Sequence, residues 1–266
     1  MRYLTAAGPF VRRQLRPPEI PRPQPVATER YAEHAPCLAD IYVPEDSGDG
    51  RTALVVHGGG FAFGARDMSS VMVVVDHLLQ RGFVVASVDY RLVRVRGPRL
   101  EGQRQDAISA ARWWHDNAAR FGGDPQRTTV VGLSAGGALG LFAAGAAPLE
   151  RFVGIYGAYD LTQLPARWLT ASVLTRAPRR KDHARHSPLI MGDFDAPALL
   201  IHGLADPLAV PGHTEALARL REERGLPTEI AWIEGAVHGF FQDGVHDPHA
   251  IEAFEHLDRF LGLEAS

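Results

Sequence analysis

The chain is predicted to fold as an α/β protein, a mostly parallel twisted sheet with helices on both faces. Short apolar runs such as Thr52-Ala-Leu-Val-Val and Phe83-Val-Val-Ala-Ser-Val are too continuously hydrophobic for strands with one wet face, and suit strands buried on both sides. These runs alternate with stretches of helical periodicity, the pattern that parallel strands need for their crossovers. Gly, Asp and Pro punctuate the boundaries between them.

Each element follows from its residues. Five prolines between Pro17 and Pro25 make residues 1–25 an extended N-terminal arm. Residues 26–31 and 37–43 are predicted as short strands in an antiparallel entry, followed by the polar turn Glu-Asp-Ser-Gly-Asp-Gly-Arg51. The alternation then begins: strand 52–57, helix 69–80, strand 83–88, helix 106–120, strand 128–131 and a small-residue helix from Ala135 to about Ala147. Strands at 152–156, 198–202 and 229–233 continue the sheet, with helices at 212–224 and 249–261. Residues 160–195 break the rhythm. Rich in Arg, His and Pro and carrying Trp168, they are predicted to form a cap-like insertion in a single domain spanning residues 1–266.

Composition narrows the function classes. Hydrophobic residues make up 45% and charged residues 22%, which is ordinary globular usage. A formal net charge of −3 supplies no broad basic field, so neither nucleic acid nor an anionic membrane is an expected partner. Arg12 and Arg13 interrupt the first apolar stretch before a secretory segment could form, and no run approaches the ~18 apolar residues of a membrane span. One cysteine, Cys37, forms no intramolecular disulfide, which suits a cytoplasmic location. The expected partner is a small molecule, and oligomeric state leaves no mark in the sequence.

The chemistry is concentrated in three loops. Gly132-Leu-Ser-Ala-Gly136 follows one predicted strand and opens a helix, the setting of a nucleophile elbow with Ser134 at its tip. His57-Gly-Gly-Gly60 follows another strand, and its glycines free backbone N–H groups to hold a developing oxyanion; Gly59, Gly60 and Ala135 are the expected donors. A serine hydroxyl at neutral pH needs a base. His238 supplies one after the last predicted strand, and Asp206, 32 residues earlier at a carboxyl strand end, is the acid that would orient it. Asp160 is the reserve acid. His57 and His202 are read as structural, the latter as a strand cap, and the pairs His183/His186 and His246/His249 lack a third ligand, so neither metal nor cofactor is expected.

Together, His-Gly-Gly-Gly-Phe61, Asp-Tyr-Arg-Leu92, Gly-Gly-Asp-Pro125, Gly-Leu-Ser-Ala-Gly-Gly137, Asp-Pro-Leu208 and His-Gly-Phe240 resemble the hormone-sensitive-lipase-like branch of the α/β-hydrolase superfamily, a group of carboxylesterases. The resemblance spans residues 52–261 and implies a Ser134–His238–Asp206 triad. It also implies an oxyanion hole at Gly59, Gly60 and Ala135, and a cap built from the arm and the insertion. Leu133 stands where that branch usually carries an acidic residue, a departure shared with arylformamidases and small-ester hydrolases.

The expected reaction is hydrolysis of a small or medium-chain carboxylic ester through an acyl-enzyme. The alternatives are arylformamidase-like amide hydrolysis and non-catalytic binding of a small ligand in a hydrolase pocket. Trp168 is expected over the pocket mouth, with Phe61 and Phe240 lining its walls.

Overall fold

The computed structural model describes residues 20, 22–46, 48–94, 97, 99–164, 167–176, 183–192 and 194–263, with backbone alone for 167–170. Most of the predicted arm, residues 1–19 and 21, lies outside the described residues.

Eight strands form one sheet: β1 (Ala27–Arg30), β2 (Leu38–Tyr42), β3 (Thr52–Val56), β4 (Val84–Val88), β5 (Thr128–Leu133), β6 (Arg151–Ile155), β7 (Ala198–Gly203) and β8 (Thr228–Ile233). Their order across the sheet is β1-β2-β4-β3-β5-β6-β7-β8. β1 and β2 pair antiparallel to each other, and β2 pairs antiparallel to β4. All pairs beyond β4 are parallel, as the alternation predicted.

The strands read as continuous apolar runs because both faces are covered. Successive residues point to opposite sides, so Leu54 and Val130 face one core while Val55 and Val131 face the other. The first core is closed by α2 (Leu100–Asn117) and α3 (Ala135–Ala144), with Trp114 and Phe142 at its centre. The second is closed by α1 (Ser69–Leu79) and α7 (Pro248–Leu261), whose Ala250, Ala253, Phe254, Leu257 and Leu261 form a stripe at helical spacing. The carboxylate of Asp247 caps α7 by accepting the N–H groups of His249 and Ala250, and Gly262, at φ +68°, ends it.

Two helices depart from their predicted bounds. α2 starts at Leu100 rather than 106, because its polar first turns are held by tertiary bonds. The amide of Gln103 donates to the carbonyls of Phe61 and Arg91, and buried Asp106 receives the Arg91 guanidinium at 2.7 Å. α3 stops at Ala144, just before Gly145.

Between β6 and β7 the chain forms α4 (Arg167–Thr175) and the short α5 (Pro188–Met191), with 3-10 turns at Leu161–Gln163 and Ala184–His186. Ala171 and Leu174 of α4 join the first core with Leu161 and Leu164. α6 (Gly212–Glu223) packs beside β7 and β8. No helix among the described residues is long and apolar enough to cross a membrane.

Parallel strands share one carboxyl edge, so the loops after β3, β5, β7 and β8 all emerge on the same side of the sheet. The pairing of Val56 with Gly132 sets the glycine loop after β3 beside the Ser134 turn, and the pairing of Gly203 with Ile233 sets the Asp206 loop beside the His238 loop.

Candidate active site

Ser134 sits at the junction of β5 and α3 with φ +56° and ψ −118°, a conformation that L-residues rarely adopt. Neighbouring structure holds it there. Its N–H donates to the carbonyl of Ile155, and its own carbonyl accepts from Gly137 and Ala158. The turn also requires close backbone approach: a Cβ on Gly136 would lie 2.1 Å from the carbonyl oxygen of Val56.

The Ser134 hydroxyl lies 2.8 Å from Nε2 of His238, and Nδ1 of the same ring lies 2.6 Å from Oδ2 of Asp206. All three side chains are at least nine-tenths buried, leaving little water to compete for these bonds. A carboxylate facing Nδ1 fixes the proton on that nitrogen, so Nε2 presents its lone pair to the serine hydroxyl. The Asp206 Oδ1 atom accepts the N–H groups of Leu208 and Ala209 at 2.8 and 3.0 Å. Burial alone would raise the carboxyl's pKa, but the surrounding donors, led by His238, hold it down at about 2, so the acid stays ionised.

Asp160, the reserve acid, is committed elsewhere. It caps the 161–163 turn by accepting from Thr162, and also accepts from Gln163 and Ser187. The predicted Ser134, His238 and Asp206 are therefore the residues brought together, from three loops far apart in sequence.

The glycine loop after β3 runs alongside. Gly59 adopts φ +119°, and a Cβ there would fall 1.9 Å from the carbonyl oxygen of Phe63, so only glycine fits. Gly59, Gly60 and Ala135 donate their backbone N–H groups to no acceptor among the described residues, and Ala135 begins α3, whose positive N-terminal end favours an anion.

His57 braces this loop. Its Nδ1 donates to the Gly58 carbonyl at 2.6 Å, and its ring stacks on Tyr90 with centroids 4.2 Å apart. The Tyr90 hydroxyl donates to the carbonyl of His57, and burial lowers the pKa of His57. Gln103 fastens the far end through Phe61, an interaction that no sequence pattern signals.

The pocket expectation needs correction. Phe61 and Phe240 are 2% and 1% exposed and lie in the cores on opposite faces of the sheet, so they support the loops from behind rather than line the walls. Phe240 packs edge-on against Tyr156, which in turn lies against the His238 ring at 5.0 Å. Phe63 is half-exposed and its ring stands beside Gly60; a Cβ there would lie 3.7 Å from it. Chain pattern alone could not separate Phe61 from Phe63, since both follow the same glycines. Trp168 belongs to α4, but its side chain lies outside the described residues.

Behind the acid lie two more buried histidines, His202 of β7 and His213 of α6. Nδ1 of His213 accepts the N–H of Asp160 at 3.0 Å, so its Nε2 carries the proton, buried without an acceptor among the described residues. Burial is the main cause of its pKa falling to about 4. A histidine kept neutral in the folded state loses stability as pH falls, because the unfolded chain takes up the proton first. The loss begins near pH 6.5 and is complete near pH 4, on the order of 3 kcal/mol from this group. Replacing it by asparagine keeps an acceptor for Asp160 and removes the titration. Thermal denaturation at pH 7.5 and 4.5 should therefore show a smaller drop in Tm for His213→Asn than for wild type; equal drops would refute the assignment.

A sheet in this strand order, with a serine on the turn after β5 and its histidine and carboxylate on the loops after β8 and β7, belongs to the α/β-hydrolase class. More narrowly, the chain belongs to the BD-FAE family, whose model matches residues 39–220. It is 30% identical over 246 residues to ethyl acetate hydrolase of Pseudomonas putida, an alignment covering 83% of this chain and 72% of that protein. Esterase LipC of Mycobacterium tuberculosis is 29% identical over 84% of this chain and 63% of its own length. Among solved structures, Thermogutta terrifontis esterase 2 superimposes with a TM-score of 0.74 at 23% identity, over 94% of this chain and 98% of that one, a likeness of fold.

Proposed function

We propose that this protein hydrolyses carboxylic esters of small or medium acyl chain, with Ser134 as nucleophile, His238 as general base and Asp206 as the orienting acid. The observation that carries the proposal is the continuous relay from Ser134 Oγ through His238 to Asp206, at 2.8 and 2.6 Å. The kinship with ethyl acetate hydrolase and other esterases supports an ester of modest size.

In this mechanism His238 Nε2 accepts the serine proton as Oγ attacks the ester carbonyl carbon. The carbonyl oxygen becomes negative and is held by the N–H groups of Gly59, Gly60 and Ala135, which face no competing protein acceptor among the described residues. The tetrahedral intermediate collapses as His238 protonates the departing alcohol, leaving an ester on Ser134. Water, deprotonated by the same nitrogen, then attacks the acyl-enzyme and releases the acid. Asp206 remains ionised throughout and stabilises the transient imidazolium.

β6 ends at Ile155 on the carboxyl edge that carries all three groups, which supports a role for the following insertion as a cap. Cys37, fully buried in the antiparallel entry, suits action in the reducing cytoplasm.

A substrate panel tests the reading. p-Nitrophenyl acetate, butyrate and octanoate should be turned over in a serine-dependent way, and faster than N-formylkynurenine. A higher kcat/KM for the formamide would move the assignment to amide hydrolysis. Binding without turnover of any member would reduce the protein to a ligand binder.

A further inference from the structure

We propose that His202 is a positioning residue for the reaction: it closes the loop that carries Asp206 and shares that carboxylate with His238. This rests on the assignment of Asp206 as the acid.

His202 is the penultimate residue of β7 and is fully buried, a costly place for an imidazole unless both nitrogens are bonded. Both are. Nε2 lies 2.6 Å from the carbonyl oxygen of Ala209 and 3.4 Å from Oδ2 of Asp206. Two acceptors at one nitrogen place the proton there, so Nδ1, 2.7 Å from Thr214 Oγ1, accepts the threonine hydroxyl.

The consequence is a closed circuit around the acid. Asp206 Oδ1 gathers the N–H of Ala209, the carbonyl of Ala209 is tied back to His202, and the same His202 N–H leans on Oδ2, the oxygen that bonds His238. A leucine at position 202 could fill the strand interior but could neither hold the 206–209 turn nor place a donor on Oδ2. Strand register alone therefore does not orient the carboxylate.

The ionisable groups around this circuit are few. Asp206 and His238 face His202 from the loops after β7 and β8, and His213 from α6, with Asp160 behind it. The Tyr156 phenol lies against the His238 ring and within reach of the Asp206 charge. Removing the His202 donor leaves more of the carboxylate's charge directed at His238. That favours the imidazolium, so the acid limb of kcat/KM should move to higher pH.

The experiment compares His202→Leu and His202→Gln with wild type on p-nitrophenyl acetate, with rates divided by sites counted by fluorophosphonate titration. Gln can return an amide N–H near the Nε2 position. The Leu variant should lose about 10- to 100-fold in kcat with little change in KM, and its acid limb should rise by roughly half a pH unit. Gln should restore most of both.

Unchanged kcat and pH limb in Leu, or equal losses in Leu and Gln with no movement of the limb, would leave His202 a packing residue and overturn the proposal. If the Leu variant does not fold, Thr214→Val carries the test. Loosening the His202 ring should shift the limb in the same direction by a smaller amount, and a wild-type profile would overturn the proposal. A Ser134→Ala enzyme that still turned over would instead strike at the underlying site assignment, whatever the His202 variants do.

Discussion

Ser134→Ala is expected to remove essentially all ester turnover, on the order of 10⁶-fold in kcat, and His238→Ala to do nearly the same. The losses should be alike because the hydroxyl and its base act as a unit. Without Oγ there is no atom to form the acyl-enzyme, and without Nε2 there is nothing to take the serine proton at the moment of attack. The double variant should then be scarcely worse than either single one. Fluorophosphonate labelling should vanish in Ser134→Ala, while thermal unfolding changes little. Alanine keeps the Cβ that already tolerates φ +56° at this position, and only one buried hydroxyl with its single bond to His238 is lost. Steady-state kinetics with intact-mass spectrometry of the labelled enzyme decide the point; a Ser134→Ala protein that retains labelling would require another nucleophile.

Asp206→Asn should cost less, on the order of 10⁴ in kcat. The amide keeps the shape of the carboxylate, but its Oδ1 partners are the N–H groups of Leu208 and Ala209, which fix the oxygen end there. The NH₂ is then turned toward His238 Nδ1, in place of the acceptor now 2.6 Å away. The ring must carry its proton on Nε2, where it faces the serine hydroxyl and cannot act as a base. KM should change little. Asp160→Asn supplies the control: its carboxylate serves the 161–163 turn, so activity should stay within severalfold of wild type. The reverse result, a dead Asp160→Asn beside an active Asp206→Asn, would reassign the acid.

Part of this molecule is legible from local pattern. Buried parallel strands must be apolar on both faces, and crossovers must return along helices, so runs such as Thr52-Ala-Leu-Val-Val and the stripe Ala250, Ala253, Phe254, Leu257 announce the sheet and its covering before any contact is known. The elbow and the glycine loop are legible for a related reason. Their chemistry needs unusual backbone geometry and close approach, which glycine permits at fixed spacing around Ser134 and after His57. Strand-end position and chain order then picked Asp206 and His238 from the other carboxylates and histidines.

What lay beyond reach shares one physical cause. The early start of α2 combines local helix formers and the Glu101–Arg104 pair with Gln103 and Asp106 reaching Phe61 and Arg91, and those longer-range bonds hold the turn that Gly102 weakens. Phe61 and Phe63 flank the same glycines, and only the path of the loop turns one into the core and the other outward. His202 looks like a strand-end histidine until Ala209, Thr214 and Asp206 are seen around it. By itself, then, the sequence determined the α/β class, the order of the elements and the candidate residues for the proposed chemistry, because periodicity, turn geometry and side-chain type act over a few neighbours. Tertiary structure alone decided which aromatics meet solvent and which polar groups hold the acid, because those outcomes depend on hydrogen bonds and burial between residues far apart in the chain.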